Sequence, residues 1–157
     1  MTRARVLALF AAAALAGCSR GPAPPAVLDT RTEACRFCRM TVSEHCFAAQ
    51  LVAPGEEPVF FDDIGCLRDY LRREGELPGD TVAYVADHRT GIWVPARAAV
   101  YTRISGETPM GSHLVAHENP ESRASDPAAG GGGPVPAFDI LSTGGAPPPG
   151  PETTEVR

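Results

Sequence analysis

The chain has 157 residues, with 14 arginines and no lysine against 19 acidic side chains, for a net charge of −5. Nothing in that balance supplies a basic stripe, which argues against a nucleic-acid partner, since phosphate binding draws on clustered positive side chains. Arg36 and Arg39 sit beside a cysteine pair and leave room for local attraction to an anion.

At the N-terminus, Arg3 and Arg5 precede an apolar run from Val6 to Leu15 that ends in Leu15-Ala16-Gly17-Cys18. A bilayer-spanning helix takes about 20 residues, so this shorter run fits a signal peptide. A small residue directly before Cys is the pattern a lipoprotein signal peptidase requires. Processing would then leave a mature chain of 140 residues, 157 minus 17, beginning at an acylated Cys18. Its acyl chains would anchor it, each buried methylene contributing roughly 0.8 kcal/mol. The expected location is the periplasm. Ser19 favours the inner leaflet of the outer membrane under the usual enterobacterial sorting rule. Without Arg3 and Arg5, 12 arginines face 19 acids, and the net charge becomes about −7.

Residues 18–32, with Gly21-Pro22-Ala23-Pro24-Pro25, read as a proline-rich tether. Residues 126–157, with a run of four glycines and then Pro147-Pro148-Pro149, read as a disordered tail, too poor in apolar side chains to offset ordering entropy. One small domain at 33–125 remains, in two halves of about 33–80 and 81–125. In the first half, residues 47–53 have strand character, Pro54-Gly55-Glu56 turns, and residues 58–61 return. Asp62 or Asp63 can cap a helix with Ile64, Leu67, Tyr70 and Leu71 on one face, stopped by Gly75 and Pro78. The second half offers strands at 82–86, 92–94, 99–104 and 114–117, then a helix broken by Pro120 and Pro127. The fold class is α+β, two ββαβ-like units with antiparallel sheets. A core of this size is marginal without a metal or a disulfide.

Sulfur is concentrated. Cys35-x-x-Cys38-x-Met40 opens the domain, Cys66 falls in the first helical turn, and Met110 lies in Thr108-Pro109-Met110-Gly111-Ser112-His113. Met40 and Met110 are the two methionines of the mature chain. Thiolate and thioether are soft donors that together select Cu(I), although methionine also serves as core filler. Cys35, Cys38, Cys46 and Cys66 could instead pair as disulfides, or hold a structural zinc with His45 in place of Cys46. A thiol-redox role for the Cys-x-x-Cys pair is the third possibility. His45, His88 and His117 read as surface or packing residues, whereas His113 stands near Met110.

These motifs, followed by Phe47-Ala-Ala-Gln-Leu, Phe61-Asp-Asp-Ile-Gly-Cys66, Tyr84-Val-x-Asp87, Gly91-x-Trp93 and Thr108-Pro-Met-Gly111, occur in an order that resembles the NosL family over about residues 35–117. NosL proteins are lipoprotein accessory factors of nitrous oxide reductase. The resemblance implies a pair of ββαβ-like units similar to part of organomercurial lyase. It also implies a non-enzymatic role in Cu(I) binding and delivery to the enzyme's copper-sulfide centre, with a membrane-bound maturation transporter as partner. On this basis the expected copper ligands are Cys38, Met40 and Met110, with Cys35, His113 and Cys66 as further candidates, and Cys18 carries the lipid. The chain departs from the family pattern at Arg39, where glycine is common, and at Leu67, where methionine often follows the helix cysteine. It departs again at Ser112, His113 and His117, in a segment usually glycine-rich and aliphatic.

Overall fold

The computed structural model describes residues 21–143. Its elements are β1 (Ala49–Val52), β2 (Val59–Phe61), α1 (Ile64–Glu74), β3 (Val82–Ala86), β4 (Trp93–Pro95), β5 (Val100–Arg103), β6 (Leu114–His117), α2 (Pro120–Ala124), β7 (Gly133–Val135) and α3 (Ala137–Leu141). The fold class is α+β, as expected. The first sheet has the order β2-β1-β3-β4 and the second β6-β5-β7, with every neighbouring pair antiparallel.

The two ββαβ units are present, but they divide later than the expected 80/81 boundary. β3 pairs with β1 and so completes the first unit, β1-β2-α1-β3, with β4 added at its edge. The second unit is β5-β6-α2-β7, in which β7 pairs with β5 as β3 pairs with β1. The 82–86 strand looked like a beginning because a turn precedes it. It is an end because the strand closing a ββαβ unit comes after the helix.

One core joins the units. Ile64, Leu67 and Leu71 recur on the buried face of α1 and pack with Phe61, Leu114, Tyr101 and Ile140. The helix touches β1, β2 and β6 and lies against α3. Gly75, at φ 77°, ends it. A smaller cluster of Phe47, Ile104 and Val115, with Cys46 against it, lies apart from this core.

The domain also runs further at both ends than 33–125. Between 126 and 141 the chain forms a 3-10 turn, β7 and α3, and Ile140 is 1 % exposed. Within the glycine run, Gly132 is closely packed. A Cβ on Gly132 would meet Thr102 Cγ2 at 2.5 Å and the Arg103 carbonyl oxygen at 2.7 Å, so only glycine lets the chain lie this close to β5. Pro120 does not break the last helix but starts it, at the first helical position behind an Asn119 cap. Upstream, part of the expected tether is docked. The buried Gln50 side chain accepts from Ala26 N (2.8 Å) and donates to Ala26 O (3.2 Å), and Tyr84 Oη donates to Ala23 O (2.7 Å). A buried amide needs partners, and the 23–26 backbone supplies them. The expected signal peptide, Cys18 and the tail from 144 onward lie outside the described residues.

Candidate metal centre

The Cys-x-x-Cys pair sits on a tight turn closed by an isolated bridge between Ala34 and Thr41. Cys35 N donates to Met40 O (2.7 Å), Arg39 N donates to Cys35 O (3.0 Å), and Arg36 N donates to Phe60 O of β2 (2.8 Å). Arg39 closes the turn at φ 67°, in the left-handed region that favours glycine. The departure at Arg39 therefore has a backbone meaning. His113, the corresponding departure in the second loop, also has positive φ, at 59°.

Cys66 comes from the other side, in the first turn of α1, where Asp63 caps the helix by accepting from Gly65 N at 2.6 Å. The Sγ atoms of Cys35, Cys38 and Cys66 lie within 4.8 Å of one another. Metal–sulfur bonds of about 2.3 Å would set the sulfurs of a trigonal or tetrahedral site roughly 3.8–4.0 Å apart, so the cluster is of the right size. All three cysteines, and Cys46, are free of disulfides. Cys46 is not part of the group and lies instead in the smaller apolar cluster. A four-cysteine site is thus ruled out among the described residues. His45 does not substitute for Cys46: it too lies outside the group, with its ring on Trp93 at a centroid distance of 4.8 Å.

The three sulfurs differ in charge. The Cys66 thiol donates to Cys35, and the backbone N–H groups of Asp62, Cys38 and Phe37 also point at that sulfur. These donors outweigh burial and hold Cys35 well below the ordinary thiol range. The same hydrogen bond, together with burial, pushes Cys66 up. Burial is the main cause raising Cys38. Near neutral pH the cluster is one buried thiolate flanked by two thiols. Cys35 and Cys66 are buried and Cys38 is half-buried, so Cys38 forms the open side.

Met40 and Met110 are 59 % and 47 % exposed, so neither is a core-filling residue. The Met110 loop is fixed to the cysteine helix by one carboxylate. Asp63 Oδ2 accepts from Thr108 Oγ1 (2.7 Å) and Met110 N (3.1 Å), while Oδ1 caps α1. Gly65 permits the approach, since a Cβ there would stand 2.6 Å from Ser112 Cβ. The structure therefore docks the loop of the second unit on the helix that bears Cys66. His113 faces elsewhere, with Nδ1 2.8 Å from Gly106 O. The sequence offered Asp62 or Asp63 as the cap but not Asp63 as the link between units, because its second oxygen acts across 45 and 47 positions. It also took His88 and His117 for surface or packing residues, whereas they converge with Asp126.

Among the described residues no helix is long and apolar enough to cross a membrane. No curated protein and no solved structure matches the chain. The NosL family model matches residues 26–143, which takes in the docked 26–32 segment and α3 as well as the motif region. The chain belongs to the NosL family, an accessory copper-binding family and not a family of enzymes.

Proposed function

We propose that this chain is a Cu(I) metallochaperone, without enzymatic activity of its own, anchored through Cys18 in the periplasm. Its cargo would pass to the copper-sulfide centre of nitrous oxide reductase, with that enzyme's membrane-bound maturation transporter as partner. The client and the transporter rest on family membership. The observation that carries the metal is the convergence of Cys35, Cys38 and Cys66 from two distant segments. A donor set of sulfur alone is soft and suits Cu(I) over harder ions. The exposed thioethers of Met40 and Met110 belong to the same soft class and stand where a partner could reach them.

The proton inventory suits exchange. Cys35 is already a thiolate, so ligation by one more cysteine releases one proton, and re-protonation returns that sulfur to a poor ligand. A low-coordinate ion held this way can leave by stepwise ligand displacement. A thiol-redox role fits less well. The accessible Cys38 is raised in pKa, whereas a reactive cysteine is an exposed thiolate, and Cys35, the thiolate, is fully buried.

Titration of the reduced full chain with Cu(I) against a calibrated chelator tests this reading. Cys38→Ser should weaken binding by about 100-fold or more, roughly 2.7 kcal/mol. Met40→Leu and Met110→Leu should each give a smaller loss and leave Zn(II) affinity unchanged. An undiminished Cu(I) affinity in Cys38→Ser would overturn the proposal.

A further inference from the structure

A second group of donors lies where the turn after β3 of the first unit meets the second unit. His88 Nδ1 is 2.6 Å and His117 Nε2 2.9 Å from the same oxygen, Asp126 Oδ2, and the three ligand atoms lie within 4.8 Å of one another. His88 comes from the turn after β3, His117 ends β6, and Asp126 follows α2. Three separate segments thus aim their donors at one point.

The surroundings hold this arrangement. Asp126 Oδ1 is occupied in capping the 3-10 turn through Ala128 N (2.9 Å), which leaves Oδ2 for the imidazoles. His88 N donates to Ala116 O (2.8 Å), tying the turn to the strand that carries His117. Asp87 accepts from Arg89 N, Thr90 N, Glu118 N and Ser122 Oγ, which locks that turn against β6 and α2. Backing of this kind fixes ligand orientation at metal sites. His117 is fully buried, and its Nδ1 has no partner among the described residues. Its Nε2 is thus the engaged ring nitrogen, and it faces a carboxylate oxygen that a second imidazole shares.

We propose that His88, His117 and Asp126 form a second metal site, for a borderline divalent cation of the Zn(II) class. Two imidazoles and a carboxylate are nitrogen and oxygen donors, the opposite preference to the sulfur cluster. With bonds of about 2.0–2.1 Å, tetrahedral ligands stand roughly 3.3 Å apart. The imidazole nitrogens stand 2.6 and 2.9 Å from Asp126 Oδ2, so the donors need part by under about 1 Å to take a cation in place of the hydrogen bonds. The His88 side chain is 15 % exposed and gives the entry path. Three protein ligands leave a fourth position for water. The site stands whether or not the sulfur cluster carries Cu(I).

Co(II) and Zn(II) titrations of the reduced full chain, with the sulfur cluster first filled by one equivalent of Cu(I), test this inference. Bound Co(II) should show visible d–d bands without the near-ultraviolet thiolate-to-cobalt band. His88→Ala, and separately Asp126→Asn, should weaken Zn(II) by about 100-fold or more, beyond the roughly 10–100-fold typical of outer-shell changes. Circular dichroism should show both variants folded, and their Cu(I) affinity should stay within a few fold. Absence of Co(II) binding, a thiolate band on all the bound Co(II), or unchanged Zn(II) affinity in both variants would overturn the proposal.

Discussion

In the first unit the strand-to-helix junction runs Phe61-Asp62-Asp63 into a helix of 11 residues, and in the second it runs His117-Glu118-Asn119 into one of 5 residues. Asp63 and Asn119 do the same capping work, and three positions beyond each cap stand Cys66 and Ser122. Cys66 offers its sulfur to the cysteine cluster, whereas Ser122 gives its hydroxyl to Asp87, behind His88. The same position after the cap thus bears a soft metal donor in one copy and, in the other, a hydroxyl that braces the turn carrying His88. Topology fixes where donors can be presented, and the side chains at those places decide which metal chemistry they suit.

The comparison assumes that the second unit is a full partner in the core. Ile140→Ala tests this most severely, because Ile140 lies beyond the motif region and is buried against α1. The substitution should destabilise the chain by about 2–5 kcal/mol in a denaturant melt. A loss below about 0.5 kcal/mol would mean that β7 and α3 are dispensable and that the second unit is incomplete.

The link between units comes next. Asp63→Asn keeps an acceptor for Gly65 N but presents an amide to Thr108 and Met110 N, so one buried donor is left unpaired. About 2 kcal/mol should be lost, and Cu(I) affinity should fall with it if Met110 contributes from the docked loop. Equal stability in the variant would show that the loop is held by packing alone.

Within the sulfur cluster, pH separates the thiols. Cys35 titrates at about 5 in the folded chain, against about 8.5 for an unfolded thiol. Its contribution is therefore fully present above about 8.5 and is lost as pH falls toward 5. Cys66 and Cys38 are raised, so their contribution is present below about 8.5 and lost as pH rises. The reduced apo protein should be most stable near pH 8.5, and Cys35→Ser should flatten the limb between about 6.5 and 8.5. Below about 6.5 the half-buried His45, with its pKa lowered by desolvation, adds to the loss. A Cys35→Ser profile parallel to the wild type would remove the thiolate assignment.

The smallest effect concerns the turn. Arg39→Gly relieves a left-handed residue at roughly 1–2 kcal/mol but adds chain entropy in the unfolded state of about 0.5–1 kcal/mol. A net gain near 0.5 kcal/mol is expected, read as a small rise in melting temperature.

Local rules made much of this molecule readable in advance. Alternation and turn residues marked the strands, Asp62 or Asp63 and Gly75 marked the limits of α1, and the Cys35-x-x-Cys38 spacing marked two of the three sulfurs of the cluster. What escaped was set at long range. Gly132 reads as linker composition until its contact with β5 is known, and Pro120 reads as a breaker until Asn119 is seen to cap ahead of it. His88, His117 and Asp126 lie 29 and 9 positions apart in turn, with no spacing motif between them. Arg39 and His113 stood out as departures, but only their φ angles show why glycine suits such places.

The docking of Ala23 and Ala26 onto Tyr84 and Gln50 has a consequence for reach. If Cys18 carries the lipid, it stands five residue steps from the first pinned backbone group at Ala23. Fully extended, they span at most about 17 Å, at roughly 3.3–3.6 Å per residue. The domain would then be leashed within about half a bilayer's thickness of the surface. Partners would have to come to it, and those already in the membrane would meet it at a high effective concentration.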